Sequence, residues 1–201
     1  MYLTKILIKD STCRNPYEIH RALWTLFPEN EDAGRDFLFR VGHSDRDHAE
    51  ILMQSVREPE RSSIMVQILA CKEYPLLFSP RQRLRFMLIA NPVKTISDEM
   101  GRKDADGETK KCRVPLIREE EQRSWIERKL QNAASLEMLV IDPVFPIKFR
   151  KNGEDRAGKI QPVRFQGVLK VEEPEAVMEL IQKGIGPAKA FGCGLLSLAK
   201  A

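Results

Sequence analysis

Tyr2-Leu3-Thr4-Lys5-Ile6-Leu7-Ile8-Lys9, and after a polar link Asn15-Pro16-Tyr17-Glu18-Ile19-His20-Arg21-Ala22-Leu23-Trp24-Thr25-Leu26-Phe27, is the stretch on which the fold turns. The first segment is apolar and β-branched, which predicts a strand. The second opens with signals of a helix start. Asn15 is a good N-cap, Pro16 suits the first helical position, and Glu18 sits where a capping-box acid belongs. Ile19, Ala22, Leu23, Leu26 and Phe27 then recur on one face at helical period. A strand feeding an amphipathic helix through a short polar link predicts an α+β unit.

Working outward, strands are predicted over Asp36 to Val41, Ala49 to Val56 and Leu84 to Ala90. Ile64 to Cys71 stays ambiguous between helix and strand, because a short apolar run does not reveal its period. The second half echoes the first. Val93 to Ile96 is short and extended, Glu119 to Ala134 is a helix, and Leu139 to Ile141 is a strand. Pro146 to Val171 reads as a long hairpin around Asn152-Gly153, a dipeptide that accepts positive φ at both turn positions. A helix from Pro174 to Lys183 and a strand from Leu195 to Leu198 complete the pattern. The simplest architecture is two βαββαβ-like halves, residues 1–91 and 92–201, meeting at Asn91-Pro92.

Composition limits the classes of function. The 201 residues carry 33 Lys and Arg against 29 Asp and Glu, a net charge of +4, which permits a polyanionic partner without demanding one. The apolar fraction is 42%, enough for a packed core and too high for a disordered chain. Apolar runs stop at about five residues, as in Phe86 to Ala90, far short of the ~20 of a membrane helix. Met1-Tyr2-Leu3-Thr4-Lys5 has no signal-peptide pattern, so a cytoplasmic protein with no membrane partner is expected. Cys13, Cys71, Cys112 and Cys193 are scattered, with no pair at metal-ligand spacing. They read as reduced thiols acting as small apolar residues, and no metal site is expected.

Three constellations could carry chemistry. Tyr17 and His20 are neighbours on the first helix, three residues apart at the edge of its apolar stripe. Imidazole suits proton transfer near neutral pH, and a phenol beside it can orient a phosphate. The alternative is an amphipathic helix that merely carries these residues at its edge. His43 and His48 sit in a polar connection and read as surface residues.

The second constellation is Gly184-Ile185-Gly186-Pro187-Ala188-Lys189-Ala190-Phe191-Gly192-Cys193-Gly194. Glycines let backbone N–H groups turn toward an anion, and Lys189 adds charge. It is neither a P-loop nor a dinucleotide fingerprint, so no nucleotide cofactor is expected. A glycine-rich bend leading into the last strand is the competing reading.

The third is positive charge. Between Pro146 and Lys170 lie seven basic residues (Lys148, Arg150, Lys151, Arg156, Lys159, Arg164, Lys170) against two acids, more net charge than the whole chain carries. A basic hairpin can enter a groove or track phosphates. Arg102, Lys103, Lys110, Lys111 and Arg113 form a second cluster, diluted by acids. With a His, a Tyr and a polyanion-binding surface, metal-free RNA cleavage is the natural chemistry. RNA supplies its own 2′-hydroxyl nucleophile, and the protein must align it, move a proton and offset phosphate charge.

The chain resembles the CasE (Cse3) family of CRISPR-associated endoribonucleases of the type I-E Cascade system. The likeness rests on the opening Met-Tyr-Leu-Thr-Lys, on Tyr-x-x-His within Tyr17 to Phe27, and on Ala33-Gly34-Arg35-Asp36-Phe37-Leu38-Phe39. It continues through Ala90-Asn91-Pro92-Val93-Lys94-Thr95, Cys112-Arg113-Val114-Pro115-Leu116-Ile117 and Gly158-Lys159-Ile160-Gln161. It ends in the paired Gly-x-Gly motif, Gly184 to Gly194, followed by Leu195-Leu196-Ser197-Leu198-Ala199. The resemblance implies two tandem ferredoxin-like (RRM-like) domains of an α+β fold. It implies cleavage of precursor CRISPR RNA within each repeat, at the 3′ base of the stem-loop, leaving a 2′,3′-cyclic phosphate. His20 would move a proton and Tyr17 would orient the scissile phosphate. Lys148, Arg150, Lys151, Arg156 and Lys159 are the implied groove-entering residues. The partners implied are the repeat stem-loop and the other Cascade subunits, with no cofactor. The rival from another class is a non-catalytic stem-loop-binding module of the same fold.

Alanine at Lys148 and Arg150 is expected to weaken stem-loop binding and to lower its salt slope by about one for each phosphate left without its cation. A titration across salt concentrations checks this, and an unchanged slope takes the hairpin out of the interface.

Overall fold

The structure is a computed structural model, and it describes all residues except 10–12, 14, 29–35, 46, 61–64, 99, 104–105 and 150–157. The expected residues Arg150, Lys151 and Arg156, the Asn152-Gly153 turn, and Ala33-Gly34-Arg35 lie outside the described residues. The elements in order are β1 (Tyr2–Lys9), α1 (Pro16–Trp24), β2 (Phe37–Ser44), β3 (His48–Ser55), β4 (Val66–Glu73), β5 (Arg83–Ala90), β6 (Val93–Ser97) and β7 (Lys111–Pro115). They continue with α2 (Glu119–Leu130), β8 (Ala134–Pro143), β9 (Ile147–Phe149), β10 (Gly158–Ile160), β11 (Val163–Val171), α3 (Pro174–Lys183) and β12 (Leu196–Lys200).

Two four-stranded antiparallel sheets organise the chain, ordered β2-β3-β1-β4 and β12-β5-β11-β8. Both have the ferredoxin-like order, in which the first and third strands of a unit are central. The fold class expected from the sequence is the one observed. The ambiguous segment is a strand, because Val66 to Glu73 pairs along β1. No helix lies among the described residues of the short connection between β3 and β4.

The strand expected at Leu84 to Ala90 forms, but it does not close the first half. It pairs with β11 and β12 and is a central strand of the second sheet. By strand pairing, the chain changes sheets between Glu73 and Arg83, and the division expected at 91/92 falls one strand too late. The hairpin expected over Pro146 to Val171 is also revised. Only β9 and β10 pair as a small hairpin, while Val163–Val171 runs between β5 and β8. Pairing partners distant in sequence decide both corrections.

Each sheet covers a core with its helix-bearing face. In the first, Ile6, Ile8, Ile51 and Met53 meet Ile19 and Leu23 of α1. In the second, Phe86, Leu88, Phe165 and Leu169 meet Trp125 and Ile126 of α2 and Val177 and Ile181 of α3. The four cysteines are free; Cys13 and Cys193 are buried, and burial pushes the Cys193 thiol up to about 12. No helix among the described residues is long and apolar enough to cross a membrane.

The two units are joined along a seam. Arg40 Nη1 of edge strand β2 donates to Ser197 Oγ of edge strand β12 at 2.8 Å. Buried Gln54 Nε2 of β3 donates to the Ile181 carbonyl in the last turn of α3 at 2.7 Å. The glycine-rich segment fills what remains. A Cβ on Gly184 would lie 2.8 Å from Leu38 of β2, one on Gly192 3.4 Å from Phe39, and one on Gly186 3.0 Å from Trp125 of α2. Gly184 has φ 71° and ψ 157°, a region that only glycine occupies readily.

Gly184→Ala is expected to cost about 1–3 kcal/mol of stability through this backbone conformation alone. Urea unfolding of the variant checks it; an unshifted midpoint refutes the strain.

Candidate active site and nucleic-acid interface

The helix that carries Tyr17 and His20 is fixed at its start as the sequence predicts. The Asn15 side chain accepts from the Tyr17 backbone N–H at 3.1 Å, and Pro16 opens the first turn. Glu18 differs from expectation. Its carboxylate pairs with Arg21 on the next turn at 3.2 Å.

His20 is half-buried at the edge of the apolar stripe, and its imidazole packs against aromatic rings. Its ring centroid is 5.7 Å from Phe37, 6.2 Å from Phe39 and 6.2 Å from Trp24, and Nε2 is buried. The imidazole is thus wedged between its helix and the first sheet. Tyr17 is half-buried one turn earlier.

The first turn of α1 faces the small hairpin of the second unit. A groove of about 400 Å³ runs between them, lined by Pro16 and Ile19 of α1, by Phe145, Ile147 and Lys148, and by Phe191; Tyr17 and His20 themselves do not line it. Phe145 is 93% exposed, an apolar ring held in solvent beside a candidate site.

The hairpin places its charges together. Lys148 and Lys159 stand directly opposite each other across β9 and β10, both exposed. Like charges in that position repel, and a polyanion laid over them relieves the repulsion. Ile147 and Phe149 point to the opposite face, as strand alternation requires.

Chain comparisons agree with this architecture. Residues 1–200 match the family model described as CRISPR associated protein. The chain is 44% identical to the CRISPR system Cascade subunit CasE of Escherichia coli K12, over 99% of both chains. It is 32% identical to the CRISPR-associated endoribonuclease Cse3 of Thermus thermophilus, over 99% of this chain and 100% of that one. This chain belongs to the CasE/Cse3 family.

Among solved structures, that of the CRISPR-associated protein Cas6e from E. coli K-12 superposes with a TM-score of 0.86, at 41% identity over the full length of both chains. A Cse3 bound to a 19-nucleotide RNA gives 0.79, at 32% identity over 99% of this chain and 100% of that one.

Seen as a CasE/Cse3 chain, the remaining expected residues divide by what they touch. Lys189 Nζ donates to the Lys183 carbonyl at the end of α3, so its charge caps a helix C-terminus. The backbone of the glycine-rich segment, with Ala188 at φ 65° and the 3₁₀ turn Lys189–Phe191, lines a cavity of about 820 Å³ with Arg113, Trp125 and Lys129. Its packing role in the seam and its place on a cavity wall are both present. His43 and His48 are exposed at the β2–β3 turn, as expected.

The diluted cluster is split. Lys103, Lys110 and Lys111 are exposed on the β6–β7 hairpin, and Arg113 borders two cavities. Arg102 is committed to Asp98, with Nη2 to Oδ1 at 2.6 Å and its backbone N–H on Oδ2 at 3.0 Å. Cys112 Sγ also approaches Asp98, at 3.7 Å. Sequence reasoning missed Asn91, Trp125 and the Phe149–Phe191 pair, whose ring centroids are 4.3 Å apart. Only the Asn-Pro dipeptide pointed to any of them. Among the described residues no group of three His, Cys, Asp or Glu is placed to hold a metal.

Hydrogen bonds from the Arg102 guanidinium, then from its backbone N–H, hold the Asp98 carboxyl well below the usual carboxylate range. A carboxylate depressed by folding stabilises the fold above its unfolded value and loses that contribution as pH falls through the folded one. Asp98→Asn is therefore expected to flatten the acid limb of the melting temperature below about pH 4. Thermal melts of both proteins from neutral to acid pH check this, and parallel curves overturn it.

Proposed function

We propose that this protein is an endoribonuclease that cleaves precursor CRISPR RNA within each repeat, at the 3′ base of the stem-loop, and stays on its product as a Cascade subunit in the cytoplasm. The observation that carries the reading is that α1, the helix bearing Tyr17 and His20, lines through Pro16 and Ile19 the same groove as Lys148, whose cross-strand neighbour is Lys159. Relatives named as a Cascade subunit and as an endoribonuclease, and one bound to RNA, support it.

In the reaction the 2′-oxygen of the upstream nucleotide attacks the adjacent phosphorus and loses its proton. The P–O5′ bond breaks, and the departing oxygen takes up a proton to become a 5′-hydroxyl. The upstream product ends in a 2′,3′-cyclic phosphate, and no metal takes part. His20 transfers one of these protons, and Tyr17 orients the phosphate from the preceding turn of α1. With Nε2 turned inward, the working nitrogen is Nδ1, or the ring rotates when RNA binds. Lys148 and Lys159 hold the stem by its phosphates, and alignment supplies much of the rate.

A second reading has its own observation. Three aromatic neighbours around His20 and a buried Nε2 suit a structural imidazole, which makes the protein a stem-loop-binding module.

Cleavage of an end-labelled repeat hairpin in EDTA, wild type beside His20→Ala, separates the two. A single cut by wild type alone, with the variant at least about 100-fold slower and binding retained, is the expected result. Equal cutting by both moves the proton-transfer role off His20. Binding without cutting by either leaves the binding module.

A further inference from the structure

Behind the small hairpin lies a cavity of about 590 Å³, bordered by Asn91, Arg113, Phe149, Lys159, Gln161 and Phe191. It is large enough for one nucleotide. It draws its walls from four places: the β5–β6 turn, β7, the β9–β10 hairpin and the glycine-rich segment.

Asn91 is the unusual member. Its Oδ1 is buried and accepts no hydrogen bond among the described residues. Buried acceptors are nearly always satisfied, so an orphan on a cavity wall marks a place where a donor from outside belongs.

The aromatic wall is fixed in place. A Cβ on Gly158 would collide with the Phe149 ring, so the ring rests on bare backbone across the hairpin. Its other side meets Phe191, 4.3 Å between centroids. Arg113 and Lys159 add exposed cations at the rim, and Lys159 stands opposite Lys148 of the stem-binding face. Apolar ring surface, a carboxamide and two cations form the set that recognises a base face, a base edge and a phosphate.

We propose that this cavity takes one unpaired nucleotide flanking the RNA stem and reads its base through Asn91, with adenine favoured. On its Hoogsteen edge adenine alone presents an amine donor beside a ring acceptor, which a carboxamide matches with two hydrogen bonds. When the carboxamide turns its buried Oδ1 toward the cavity, Oδ1 receives the amine and Nδ2 donates to the ring nitrogen. The inference takes its substrate from the proposed endoribonuclease reading.

The test measures affinity for repeat hairpins in which the last stem nucleotide on the 3′ side and the unpaired flanking nucleotides are all 2′-deoxy, so that binding is read without cleavage. Each flanking position is varied in turn as adenine, uracil or an abasic residue. At one position wild type is expected to bind adenine about tenfold more tightly than uracil, and the abasic RNA more weakly still. Asn91→Ala should bring the adenine-to-uracil ratio to about one. Asn91→Asp keeps the side-chain shape at the turn and removes the amide donor; it should also lose the ratio if the alanine variant does not fold. Lys159→Ala should weaken all the RNAs together and leave the ratio standing.

Indifference to base identity at every flanking position overturns the proposal, as does a ratio that survives in Asn91→Asp. If wild type never cuts the all-ribose RNA yet the ratio holds, the nuclease reading fails and the pocket stands. If cutting is normal and the ratio is one throughout, the pocket fails alone.

Discussion

A backbone without side chains holds the two halves together. Between α3 and β12 the chain must pass Leu38 and Phe39 of the first sheet and Trp125 of the second unit at distances where a Cβ is crowded or barely fits. Gly184, Gly186, Gly192 and Gly194 all take positive φ there. The Gly194 N–H reaches the Ile89 carbonyl at 2.7 Å, which sets β12 beside β5. The close approach of the two sheets depends on this strap, and so does the meeting of α1 with the hairpin. Its glycines are structural, and Gly184, Gly186 and Gly192 also border cavities.

Charge is managed differently at the seam and at the surface. Burial and the nearby Arg164 both lower the pKa of Arg40, yet its Ser197 hydrogen bond ties one edge strand to the other. Asp98 solves the opposite problem by enclosing a carboxylate in Arg102. Lys148 faces a second lysine across the strand rather than a carboxylate, a repulsion that a bound polyanion would relieve. Surface lysines alone would not make this argument; their forced adjacency does.

Local signals are legible wherever local chemistry decides. The cap, the proline and the apolar stripe of α1 can be read directly, and α3 begins and ends at Pro174 and Lys183 as its pattern predicts. Position in a sheet cannot. Phe86 to Ala90 reads the same whether it ends one unit or begins the next, because its partners lie more than 70 residues downstream. Likewise, β11 resembles a hairpin arm until its neighbours are known. The basic hairpin is legible by charge, but the Lys148–Lys159 register is not, since their separation depends on a loop whose sequence does not set its length in space. Asn91 belongs to a recognisable motif that gives it no role, because an unsatisfied buried oxygen exists only in three dimensions.

The division of labour gives a reason for a seam built on strained backbone. In the proposed reaction the nucleophile belongs to the RNA, so the protein contributes mainly position. His20 is anchored to the first sheet through Phe37 and Phe39, whereas the stem is gripped by a hairpin of the second unit. Nothing in either unit alone fixes the distance between imidazole and phosphate. A displacement of about 1 Å can cost on the order of 100-fold in rate. In the proposed reaction the Arg40–Ser197 and Gln54–Ile181 bonds would therefore act on catalysis without touching RNA. They would hold His20 and the hairpin lysines in one register, which a longer linker would not keep.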